Sequence, residues 1–208
     1  YIMNVLVIGC HPDDVELGCG GTIVKHLDKG DEVYILVMTN GDKGNHHPEF
    51  NECFESLEIL GVKKSNIIFG NFPDAQLTDG YDTVNFIDRC IESYKINRIY
   101  THHFEDRHQD HRNCSRAVSS AARDIPELFL FEGPSTTVYF DPHVFIEIND
   151  HHLRKKIEAL RCYKSQIQKG VIDLDWVQSN AKVKSLGTKG KYAEAFAINH
   201  LHIGGNNV

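Results

Sequence analysis

The chain has 208 residues, 41% hydrophobic and 25% charged, the balance of a globular protein long enough to bury an ordinary core. Its formal net charge of -7, with no block of like charge, argues against a protein built to grip a phosphate backbone, so no nucleic-acid partner is expected. No apolar run approaches the roughly 18 residues of a membrane span, and the first residues lack the pattern of a secretory signal. Tyr1 and Ile2 precede Met3, which reads as the native start. The six cysteines (Cys10, Cys19, Cys53, Cys90, Cys114, Cys162) lack CxxC spacing and read as free thiols in a reducing, cytoplasmic compartment. Of the thirteen histidines, the doublets His46-His47 and His151-His152 read as solvated surface.

In chain order, 4–9 (NVLVIG) is a short β-branched run ending in glycine, a buried strand. Residues 18–27 read as a helix, 32–39 (EVYILVMT) as a second buried strand, and 41–48 as a polar loop. A helix over 49–60 stops at Gly61, and 66–69 is a third strand. Loop 73–80, a helix over 84–94 and a fourth strand over 98–101 follow, then a polar loop and a helix from about 111 to 122. The later chain is less regular: strands at 128–131 and 144–148, a long helix over 153–167, a shorter one over 175–184 and a closing strand at 192–198. This alternation predicts one α/β domain over 3–208, with a mostly parallel sheet, right-handed crossovers and a C-terminal elaboration.

Two polar loops carry the chemistry. The first strand runs into His11-Pro12-Asp13-Asp14, and the fourth into the stretch from His102 to His111 (HHFEDRHQDH). Open α/β sheets place their sites beyond the carboxyl ends of strands, and the first and fourth strands commonly flank the switch point, so the loops should meet. Two histidines and one carboxylate drawn from them would leave a coordination position open, the pattern of a catalytic zinc site. The bland alternative is that Asp13 and Asp14 cap the next helix and the histidines are solvated. From the residues alone, either aspartate can be the ligand and the other a base. Of His102 and His103, one should point inward and one outward. A nucleotide-binding turn would read GxGxxG here and does not. Non-haem iron chemistry shares the ligand types, although it needs no adjacent base.

The same residues carry a family resemblance. His11-Pro12-Asp13-Asp14-Val15-Glu16-Leu17-Gly18-Cys19-Gly20-Gly21 resembles the N-terminal signature of the PIG-L/LmbE zinc de-N-acetylases, and Glu105 to His111, with Asn113-Cys114, resembles the second signature. Thr39-Asn40-Gly41-Asp42 is similar to a third, weaker motif, and 159–166 and 192–196 to C-terminal segments of the family. The wording, Val15-Glu16 included, is most similar to bacillithiol-pathway-type members.

The resemblance implies a Rossmann-like three-layer fold and Zn2+ (or another divalent metal such as Fe2+) held by His11, Asp14 and His111. It implies Asp13 as general base and His108, paired with Asp110, as oxyanion stabiliser or acid. Asp42 either lines the substrate pocket or caps a turn. Arg107 either meets substrate or pairs with Asp106. Tyr163, Gln166 and Glu194 read as structural. The implied partner is a small N-acyl amino sugar or its conjugate; a monomer and a homo-oligomer both stay open. Two residues depart from the family pattern: Gln109 stands where proline is common, and Glu49 where many members carry an arginine near the substrate.

Overall fold

The structure is a computed structural model that describes residues 2–39, 48–136 and 139–202; the side chains of 48–50 lie outside that set. Asp42, His46, His47 and the Glu49 side chain are therefore outside the described residues.

Five parallel strands form the body of the sheet: β1 (Asn4–Gly9), β2 (Glu32–Thr39), β3 (Ile67–Phe72), β4 (Arg98–His102) and β5 (Glu127–Phe131). Two more, β6 (Val144–Ile148) and β7 (Tyr192–Leu201), close one edge in antiparallel pairing, giving the order β3-β2-β1-β4-β5-β7-β6. β1 and β2 are nearly continuous apolar runs because both of their faces are covered. On one face lie α1 (Asp14–Asp28), α2 (Pro48–Leu60) and α5 (Asp150–Leu160), packed over Val5, Val7, Ile35 and Tyr100. On the other lie α3 (Tyr81–Tyr94) and α4 (Gln109–Ala121), over Leu6, Ile8, Leu36 and Ile99. The three-layer, mostly parallel α/β architecture is the one expected. β1 and β4 are neighbours, paired from Val5↔Arg98 to Val7↔Tyr100, so the loops that follow them emerge side by side. Among the described residues no helix is long and apolar enough to cross a membrane.

Three expectations change. The long helix over 153–167 is two helices, α5 and α6 (Lys164–Gln168), with a corner at Tyr163. Tyr163 is fully buried and its hydroxyl donates to Glu16 at 2.8 Å, a tie that a straight helix would not need. His152 is buried, not solvated: it completes a capping box with Asn149 at the start of α5 and reaches Asp28 at 3.0 Å. The first helix begins at Asp14, not at Gly18, because the turn at Asp13 already supplies its first carbonyl, to Leu17 N–H at 2.9 Å.

That helix is interrupted. Cys19 leaves helical geometry (φ -151°, ψ 29°), and the polar groups the break frees find partners from the far end of the chain. Glu194 on β7 accepts the Gly21 and Thr22 N–H groups at 3.0 and 2.6 Å. Lys156 on α5 donates to the Leu17 carbonyl at 2.8 Å and pairs with Glu194 at 2.6 Å. A carboxylate thus caps the second half of α1 from outside the helix. Glycine permits the close approach: a Cβ on Gly18 would lie 2.3 Å from Phe131, and one on Gly21 2.7 Å from Ile148. Glu194→Ala leaves Lys156 buried without its counter-charge. It is expected to lower stability by about 3–5 kcal/mol, read from the urea unfolding midpoint at unchanged slope. α7 (Leu174–Lys184) completes the elaboration, packed against β7.

Candidate metal centre

The centre forms where the β1–α1 turn meets the first turn of α4. Asp13, at the N-cap of α1, sits in the left-handed region (φ 100°, ψ -27°), which is costly for a residue other than glycine. This tight turn lets the next carboxylate fold back: Asp14 Oδ2 accepts the N–H of Cys10 at 3.0 Å and of His11 at 2.7 Å. Burial pushes the Asp14 carboxyl up, but His111, His102 and His11 outweigh it and hold it well below the usual range.

Three atoms define a triangle. Asp14 Oδ2 is 3.4 Å from His11 Nδ1 and 3.4 Å from His111 Nε2, and the two nitrogens are 3.3 Å apart. Zinc with bonds of about 2.0–2.1 Å in tetrahedral geometry separates its ligand atoms by about 3.3–3.4 Å. The spacing and the donor types therefore fit a divalent metal, with a fourth position left for water or substrate.

Each histidine of the triangle is met on its other nitrogen by carboxylates. His11 Nε2 lies 2.9 Å from Asp74 and 3.6 Å from Asp110; His111 Nδ1 lies 3.2 Å from Asp106. Asp106 also accepts the His108 N–H and the Thr136 hydroxyl, which anchors it. Burial lowers both imidazole pKa values, but the carboxylates win and push His11 up to about 11 and His111 up to about 10. Asp74 and Asp106 were not among the sequence candidates. The signal that could have found them is the rule that a metal-bound imidazole usually donates its second N–H to a carboxylate.

His102 is the inward member of its pair. It is buried, its ring stacks on His111 at 3.9 Å, and its Nε2 accepts the Cys10 N–H at 3.1 Å. Burial and the charge on His111 push it down to about 4. Cys10, Asp14, His102 and His111 also lie close enough to hold an ion. Two facts count against that set: the His102 lone pair is already engaged, and burial raises the Cys10 thiol well above its usual value. His103 is half-buried against Phe140.

The other candidates fall as follows. His108 is the N-cap of α4, with its ring 4.8 Å from that of His11 and 4.7 Å from that of His111. Burial, then the charge on His11 and His111, lowers its pKa. The expected pairing with Asp110 takes a different form. The Asp110 backbone N–H donates to His108 Nδ1 at 3.2 Å, while its carboxylate faces His11 and accepts the Ala75 N–H at 2.8 Å. The Ala75 N–H and the His11 ring hold the carboxylate away from His108. Burial, then the neighbouring Asp14 and Glu16, push Asp13 well above the usual carboxylate range. Arg107 is exposed and donates to the carbonyls of Ser135 and Pro134; no ion pair with Asp106 forms.

A cation entering the triangle needs neutral imidazoles, so it must displace protons held by His11 and His111. Both folded-state values lie above neutrality, so affinity should rise with pH up to about 11 and fall in acid. Calorimetric zinc titration of the metal-free protein near neutral pH, in buffers of different ionisation enthalpy, is expected to show about two protons released per cation.

Comparison with known proteins bears on the same residues. The family model described as GlcNAc-PI de-N-acetylase, PIG-L, matches residues 6–122, which span both loops. An Escherichia coli K12 protein named as the uncharacterized deacetylase YaiS is 36% identical over 170 residues, covering 78% of this chain and 91% of its own. The diacetylchitobiose deacetylase of Thermococcus kodakarensis is 29% identical over 205 residues, covering 83% and 73%. Among solved structures, the conserved protein TT1542 of Thermus thermophilus superposes with a TM-score of 0.83 at 26% identity, over 98% of each chain.

Proposed function

The chain belongs to the GlcNAc-PI de-N-acetylase (PIG-L) family, and on that premise we propose that it is a zinc-dependent hydrolase that removes an acetyl group from the nitrogen of a small amino-sugar-containing molecule. The observation that carries this reading is the near-equilateral triangle of His11 Nδ1, Asp14 Oδ2 and His111 Nε2 beside a second, buried carboxylate. The matching relative that acts on diacetylchitobiose supports an N-acetylated sugar as the substrate class. The free state of all six cysteines supports a reducing, cytoplasmic setting.

His11, Asp14 and His111 hold the metal. Zinc held there would supply Lewis acidity toward the amide carbonyl and the attacking water. Asp13 is the general base. Buried beside the triangle, its carboxylate is placed to take a proton from the attacking water and pass it to the leaving amine. His108 accepts the Asp110 N–H at Nδ1, so in the neutral tautomer its donor is Nε2–H. From the edge of the triangle that N–H can stabilise charge developing on the acyl oxygen, with no need for an imidazolium. Asp110 supports the site through His11, and Asp106 through His111. Asp42 and Arg107 are proposed as substrate contacts.

Asp13→Asn is expected to keep stoichiometric zinc and lose about 10²–10⁴-fold in turnover, whereas His111→Ala should lose the zinc itself. Metal analysis and amine release from N-acetylglucosamine, diacetylchitobiose and thiol-linked N-acetylglucosamine conjugates, with and without chelator, check both. Full turnover in Asp13→Asn would remove the base assignment. Chelator-insensitive amine release would remove the metal from the reaction. Metal analysis of protein purified under anaerobic conditions separates zinc from ferrous iron.

A further inference from the structure

The segment between β3 and α3 brings to the triangle a carboxylate that neither motif contains. Asp74 Oδ1 lies 2.9 Å from His11 Nε2, the ring nitrogen that faces away from Asp14 and His111. The imidazole therefore presents Nδ1 to the triangle and Nε2–H to Asp74. No helix or strand pairing holds Asp74 there, since 73–80 is irregular and Ala75 is left-handed at φ 58°. What holds it is the first turn of α4. The Ala75 N–H donates to Asp110 Oδ2 at 2.8 Å, the Gln109 side-chain amide donates to the Ala75 carbonyl, and Asn113 Nδ2 donates to the Leu77 carbonyl at 2.7 Å. Leu77, at the far end of the segment, is sunk in the core. The same helical turn carries His111.

We propose that Asp74 is a positioning residue for His11, and that residues 74–77 form a strap clamped to α4 by Gln109 and Asn113 so that Asp74 keeps Nδ1 of His11 turned into the triangle. The inference rests on the reading of His11 as a metal ligand. A carboxylate on the outer nitrogen places the proton there, leaves the lone pair on the inner nitrogen, fixes the rotation of the ring and raises its basicity as a ligand. Through the clamp, one turn of α4 supplies one ligand directly and sets the orientation of the other. Gln109 acquires a role in this arrangement. Proline, common at this position in the resembled motif, has no amide to give the Ala75 carbonyl, so this half of the clamp depends on the residue this chain carries.

The test uses the full chain, stripped of metal. Zinc affinity is read by competition with a chelator, and ligand geometry by the visible absorption of the cobalt(II)-loaded protein. Asp74→Asn is expected to weaken zinc about 10–100-fold and to alter the cobalt bands, while the metal-free protein keeps the parent circular dichroism spectrum. Gln109→Ala combined with Asn113→Ala is expected to weaken zinc in the parent background and to add nothing in the Asp74→Asn background, since both changes act through the same contact. Parent-like affinity and cobalt bands in Asp74→Asn would overturn the proposal. Equal losses from the clamp variants in both backgrounds would overturn the strap. His11→Ala separates this from the underlying reading: retained tight zinc there would sink the ligand assignment, whereas lost zinc alongside parent-like Asp74→Asn would sink only the positioning role.

Discussion

A single carboxylate oxygen, Asp14 Oδ2, accepts the backbone N–H groups of Cys10 and His11 while lying within 3.2–3.4 Å of ring nitrogens of three histidines. The local bonds decide where β1 ends and α1 begins. The long-range approaches decide which side chains of the β4–α4 loop stand opposite. A buried carboxylate is costly unless its charge is met, so the N–H groups and imidazoles that crowd this oxygen are a condition of its burial. Asp13 follows from the same turn: folding Asp14 back onto the two preceding amides forces its neighbour into a left-handed backbone. That conformation separates two consecutive carboxylates enough for one to be held far below the ordinary range and the other far above it.

Around this oxygen the charges are layered. Two histidines of the triangle face inward with one nitrogen and outward to carboxylates with the other. His102, pressed beneath His111, is kept neutral. The outcome is a small acidic basket whose own protons occupy the place of a divalent charge. The basket stands at the β1/β4 junction, where the carboxyl ends of adjacent parallel strands leave room for loops from both sides of the sheet.

Much of this was legible in the residues. The parallel core reads directly from short β-branched runs separated by helical spacing, and the meeting of the two loops follows from the adjacency of the first and fourth strands. The expectation that His11, Asp14 and His111 are the ligands needed the further support of motif likeness, because spacing alone leaves Asp13 and Asp14 interchangeable. What escaped has common physical causes. Asp74 lies in an irregular segment whose position is set by three hydrogen bonds from a helix more than thirty residues away, and nothing local in 73–80 announces them. Asp106 sits inside a recognised motif, yet its contact with His111 depends on how the loop coils. The corner at Tyr163 and the buried His152 are tertiary overrides: helical spacing continues through the first, and adjacency to His151 disguises the second.

The interruption at Cys19 bears on the order in which the molecule can be assembled. The helix that begins with Asp14 is finished by a lysine on α5 and a glutamate on β7, about 140 and 170 residues later in the chain. Without those contacts, the amides of Gly21 and Thr22 and the carbonyl of Leu17 must turn to water or to ordinary helical pairing with their neighbours. The β1–α1 side of the centre is thus completed by contacts of long sequence separation, which carry the larger loop-closure cost. A nascent chain would carry His11 and Asp14 on a helix start that has no fixed continuation, and the final shape of the centre would be set by the docking of the closing strand.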